Sequence, residues 1–263
     1  MTTTIALAGK GGVGKTTVAG MVIKYLAQNR AGSILAIDAD PSSNLNMVLG
    51  LELEWTVGEI REDMLAQVKS SLAAGGAAMG ALAGGMTKRD YLDYHIRSAM
   101  AEGERFDLIA MGRGEGPGCY CAVNHNLREV IDSLSRHYAY VVIDNEAGME
   151  HLSRRTTRDV DHLLVVSDPT QRGLVAAQRI ADLSRSLDIH VENVHLILNR
   201  VPEGELPPPL RVEVEKTGLP LLGVIPADAE LMSFEFSGRP LVELGDESPV
   251  YRAVAALMES LGV

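Results

Sequence analysis

The chain has 263 residues, and acidic side chains outnumber basic ones 35 to 24, for a net charge of −11. Hydrophobic residues make up 46% and charged residues 22%, a globular composition that excludes wholesale disorder, while the acidic balance argues against general affinity for nucleic acid or anionic membranes. No apolar run reaches the roughly 18 residues of a membrane span, no basic–apolar leader opens the sequence, and two cysteines cannot build a disulfide framework, so a cytoplasmic protein is expected.

In chain order, candidate strands fall at Thr3–Ala8, Ser33–Asp38, Phe106–Met111, Tyr140–Asp144, His162–Ser167, Val194–Asn199 and Leu221–Ile225. Most are nearly unbroken runs of Val, Ile, Leu and Ala, as strands covered on both faces of a parallel sheet require. Helix-length segments separate them; Leu174, Ala177, Ile180, Leu183 and Leu187 form one apolar stripe at helical spacing. The expected fold is α/β, a doubly wound, mostly parallel sheet with helices on both faces. One stretch breaks the rhythm. Leu51 to Arg105 contains no convincing strand, and Ala73–Met86 holds eleven Ala or Gly in fourteen residues, which reads as a surface insertion or as an element for docking a partner. Pro207–Pro209 opens a helix, and Gly218 with Pro220 ends it. Near the C-terminus, Val250, Val254, Leu257 and Leu261 make a stripe with only Arg252 basic, so a core-packing helix is expected rather than a stable membrane anchor. No linker divides the chain: one domain over residues 1–263, with an insertion at about 51–105, is the reading.

Gly9-Lys10-Gly11-Gly12-Val13-Gly14-Lys15-Thr16-Thr17 fits the phosphate-loop pattern, entered by a strand and left by a helix beginning near Thr16. The glycines let consecutive N–H groups converge on a phosphate without Cβ obstruction. Lys15 would reach the β- and γ-phosphates of ATP, and the Thr16 hydroxyl would hold Mg²⁺. Lys10, one residue after the first glycine, makes the motif resemble the deviant Walker A loop of the MinD/ParA/nitrogenase-iron-protein class of ATPases. That resemblance implies a MinD-like P-loop fold and a homodimer closed by nucleotide, with Lys10 reaching the partner's nucleotide to stabilise developing charge. Asp38-Ala39-Asp40-Pro41 follows the second strand. Asp40 resembles the switch I aspartate that orients the attacking water, and Asp38 would lie nearer the metal shell; loop-forming and capping are the other roles open to this pair. Asp144 ends an apolar strand as a Walker B acid does and would hold Mg²⁺ through water, with Gly148 completing a switch II loop. Asn199 corresponds to a position that contacts adenine in the class, and Pro226 is a second candidate for lining the base pocket.

Both cysteines lie in Gly114-Glu115-Gly116-Pro117-Gly118-Cys119-Tyr120-Cys121. Cys119 and Cys121 supply two thiolates where a closed tetrahedral site needs about four, so two copies meeting on an axis would complete it. Soft thiolates favour zinc, nickel, copper(I) or an iron–sulfur cluster, and chemistry alone does not choose. His125 is a further candidate ligand or a helix-surface histidine. This block, with Asn145-Glu146-Ala147-Gly148-Met149-Glu150-His151-Leu152, resembles the CooC family and its relative AcsF, from Ile5 through at least Asn199. The resemblance implies an ATP-dependent dimer that holds Ni²⁺ (or Zn²⁺) at Cys119 and Cys121 and inserts nickel into apo carbon monoxide dehydrogenase or acetyl-CoA synthase. An iron–sulfur carrier and a MinD- or ParA-type positioning ATPase are the competing readings.

Overall fold

The computed structural model describes residues 2–73, 86–113, 129–147, 159–186 and 190–263. Eight strands form one sheet: β1 (Thr3–Gly9), β2 (Ile34–Asp38), β3 (Ala101–Glu102), β4 (Phe106–Ala110), β5 (Tyr140–Asp144), β6 (Asp159–Ser167), β7 (His190–Val201) and β8 (Leu221–Pro226). Their order is β3-β4-β2-β5-β1-β6-β7-β8. Every pairing is parallel except β3 with β4. From central β1 the chain first builds outward to β2 and β4, then returns and builds the other half. The carboxyl ends beside β1 are therefore a switch point where a crevice opens.

Helices cover both faces. On one lie α1 (Lys15–Asn29), α2 (Leu45–Leu49), α8 (Ala229–Ser237) and α9 (Pro249–Leu261), packed on Ile5, Leu7, Val142 and Leu164. On the other lie α3 (Val57–Ala73), α4 (Lys88–Ser98), α5 (129–135), α6 (Gln171–Ser186) and α7 (Pro208–Lys216), packed on Leu35, Ile37, Ile143 and Val165. α9 is a core helix, with Val250, Val254 and Leu257 buried. Among the described residues no helix is long and apolar enough to cross a membrane.

Four details differ from the sequence reading. Within Leu51–Arg105, α3 and α4 are part of the core rather than a surface addition: Val57, Ile60, Met64, Leu92 and Ile96 are all buried in one cluster. The Tyr91 hydroxyl donates to Asp63 Oδ2 at 2.5 Å and ties the two helices together. The same stretch holds β3, a two-residue strand too short to carry a pattern. β6 and β7 run further toward their N-termini than their apolar runs, because the parallel ladder from Asp159↔His190 onward carries polar residues too. In α6, Leu183 is exposed while Ala181 and Ser184 take the inner positions. Residues 74–85 of the Ala/Gly-rich run lie outside the described residues, as does Leu187.

Candidate functional site

β1 ends at Gly9, which runs so close to β6 that a Cβ there would sit 2.4 Å from the Val166 carbonyl oxygen. The chain then turns through Gly12 (φ 80°) and Gly14 (φ 88°) into α1, which Val18, Met21, Val22 and Leu26 bury against the sheet. Anchored strand and anchored helix fix the loop between them. A cleft of about 480 Å³ opens over it, lined by Gly12, Gly14, Lys15, Thr16, Thr17, Asp40, Glu146 and Arg200 among others. The Lys15 ammonium donates to the Lys10 carbonyl at 3.4 Å, while the Lys10 side chain is exposed. Burial lowers the Lys15 pKa, and the charges of Asp144, Asp40 and Glu146 raise it in part.

Two acids meet below the loop. Asp38 and Asp144 end neighbouring strands in register and are both buried. Asp38 accepts the Asp40 N–H at 3.0 Å on one oxygen and the Leu45 N–H at 2.9 Å on the other, so it holds the start of α2. Burial pushes its carboxyl up to about 6, against the pull of those amides. Asp144 is raised to about 7, first by burial and then by Asp38 and Asp40, with Thr16 and Lys15 acting the other way. Its Oδ1 is buried without a hydrogen-bond partner. A buried, unpaired carboxylate oxygen beside a threonine hydroxyl fits the oxygen-ligand demands of Mg²⁺. Asp144 and Thr16 are the residues that would hold this ion; Asp38, expected nearer the metal, already has a main-chain donor on each oxygen. When bound, the ion would neutralise charge on the β- and γ-phosphates.

The profile of the CobQ/CobB/MinD/ParA nucleotide binding domain matches residues 4–241. The chain belongs to this family. An uncharacterized ATP-binding protein of Methanocaldococcus jannaschii is 41% identical over 98% of this chain and 97% of its own. The carbon monoxide dehydrogenase accessory protein CooC of Rhodospirillum rubrum is 28% identical over 98% of this chain and 97% of its own. Among solved structures, the septum site-determining protein MinD of Pyrococcus horikoshii, complexed with Mg-ADP, has a similar fold, with a TM-score of 0.68 at 23% identity, covering 99% of this chain and 96% of that one. The protein is thus a P-loop ATPase of the MinD/ParA class.

Against that family pattern, the structure brings Gly11, Gly12, Gly14, Lys15, Thr16, Thr17 and Asp40 together around the cleft, with Gly9 and Val13 behind it. Asp40 accepts the Ser42 N–H at 2.8 Å, and Thr17 donates to Glu235 of α8 at 3.2 Å. The two base-pocket candidates stand apart from this lining. Pro226 ends β8 in register with Val201, half-buried. The Asn199 amide is engaged with the protein: Nδ2 donates to the Val13 carbonyl at 2.8 Å and Oδ1 accepts the Arg200 N–H at 2.9 Å. The Asn199 side chain therefore braces the loop. Sequence reasoning missed Arg200, which lines the cleft. Its signal was only adjacency to Asn199. Cys119, Cys121, His125 and Gly148 lie outside the described residues, and no group of three or more metal-ligating side chains occurs among the described ones.

Proposed function

We propose that this ATPase is a metallochaperone: it carries Ni²⁺ or Zn²⁺ as cargo between the Cys119 and Cys121 thiolates of two chains and inserts nickel into carbon monoxide dehydrogenase or acetyl-CoA synthase. The observation that carries the reading is the Cys-x-Cys block itself, together with where its segment leaves the sheet. The Met111 N–H donates to the Asp38 carbonyl at 2.8 Å, and the Met111 carbonyl accepts the Gly58 N–H at 2.9 Å. β4, the strand that precedes the cysteines in sequence, therefore ends at the carboxyl edge that carries the phosphate loop. Likeness to the Rhodospirillum CooC protein over nearly the whole chain supports the same reading. MinD relatives, such as that of Synechocystis at 26% identity, suit a positioning ATPase. The paired cysteines weigh against that alternative.

In this proposal nucleotide closes the dimer, Lys10 enters the partner's site, Asp40 orients water, and hydrolysis releases the cargo. Anaerobically purified protein is expected to bind about one Ni²⁺ or Zn²⁺ per two chains, since two chains are needed for four sulfurs. Added metal should drive dimer formation in sedimentation, by preferential binding to the dimer. Cys119→Ala should lose that effect and keep dimer formation with ATP and Mg²⁺. A Cys119→Ala chain that still dimerised on stoichiometric Ni²⁺ would refute the shared thiolate site. A visible absorption band with labile sulfide would assign the iron–sulfur alternative.

A further inference from the structure

The phosphate loop is held from behind by the end of β7. Asn199 Nδ2 donates to the Val13 carbonyl at 2.8 Å, and Arg200 Nη1 donates to the Gly12 carbonyl at 3.1 Å. N–H groups of successive residues converge on an anion only when the carbonyls between them turn outward. These two donors hold consecutive carbonyls in that outward direction. The approach is close: a Cβ on Gly14 would lie 2.4 Å from Asn199 Nδ2.

Arg200 reaches its post from an unfavourable backbone. Its φ is 58°, in the left-handed region that residues with a Cβ rarely adopt, and its N–H is fixed there by Asn199 Oδ1. Such conformations persist where surrounding structure dictates them, and they gather at ligand clamps. Arg200 lies in the register irregularity between Leu198 and Val201 where β7 pairs with β8, and that bulge turns its exposed side chain toward the loop. Its charged donor strengthens the bond to the Gly12 oxygen.

We infer that Arg200 is a positioning residue for nucleotide binding: it keeps the Gly12 carbonyl turned outward, so that the loop is set for phosphate before nucleotide arrives. The bond is made to the loop and not to the reacting phosphate. It should therefore favour ATP and ADP alike and act on affinity rather than on the hydrolytic step.

Arg200→Gly is the discriminating variant, because glycine adopts a φ of 58° without strain and the fold is kept. It should melt no lower than wild type. Its dissociation constants for Mg-ADP and Mg-ATP should rise together by about tenfold or more, the effect of losing a charge-assisted hydrogen bond. Turnover at saturating ATP should change by less than about twofold, so KM rises while kcat holds. Arg200→Lys, which can donate to the same carbonyl, should recover most of the affinity. Wild-type nucleotide affinity in Arg200→Gly would overturn the inference. So would a loss confined to kcat, or failure of Arg200→Lys to restore binding.

Discussion

Asp38 and Asp144 are the same residue type, opposite each other on adjacent strands, both buried, with carboxyl groups raised to about 6 and about 7. They differ in what their oxygens face. Asp38 has a main-chain N–H on each, from Asp40 and Leu45, and so fastens the β2–α2 turn. Asp144 keeps Oδ1 without a partner below the Lys15 and Thr16 side chains. The main-chain donors thus separate a carboxylate that fastens a turn from one that keeps an oxygen without a hydrogen-bond partner.

Substituting each acid in turn tests this division most strongly. Asp38→Ala should leave two amides without acceptors and lower stability by about 3 kcal/mol, read by denaturant unfolding. Asp144→Ala should unfold no more easily than wild type, because it removes a poorly solvated carboxylate, yet lose Mg²⁺-dependent ATP hydrolysis. If Asp144→Ala proved the less stable of the two, the division would be wrong.

A second effect comes from pH. For both acids the folded pKa lies above the ordinary 3.8, so the folded chain holds more protons than the unfolded one. Stability of the nucleotide-free protein should therefore fall as pH rises from about 4 to about 7. Asp144→Asn should flatten most of that slope. His195 acts in the opposite sense: its pKa is lowered by burial and by His162, so it contributes a loss of stability as pH falls below 6.5. Wild type and Asp144→Asn share this histidine, so the difference between their pH–stability curves isolates the acid. Identical curves would contradict the assignment.

The smallest change in stability is expected at Asp40, whose side chain makes a local turn bond to the Ser42 N–H. Asp40→Asn should shift unfolding by less than about 0.5 kcal/mol and bind Mg-ATP normally while hydrolysing it poorly. Turnover at the wild-type rate would remove Asp40 from the role of orienting water.

The central strands were legible because a strand covered on both faces needs an unbroken apolar run, as in Ile5–Ala8. The phosphate loop was legible because its glycines encode backbone shape. β3 was not, since two residues carry no period. α3 and α4 were set aside because the adjoining Ala/Gly run dominated the reading, although Val57, Ile60 and Met64 already stood at helical spacing. The back of the loop was hidden for a different reason. Asn199 and Arg200 meet it from 186 and 188 residues away in sequence, and nothing in an arginine's identity marks a positive φ.

The sheet's outer margins carry a consequence of their own. One margin is β3, two residues long and antiparallel to its neighbour; the other is β8, preceded by Pro220, ended by Pro226 and irregular in its register with β7. A short margin offers few unpaired N–H and C=O groups, and proline removes a donor outright. Among the described residues both margins therefore disfavour strand-to-strand growth between molecules, whereas the loops at the strands' carboxyl ends leave Lys10 exposed.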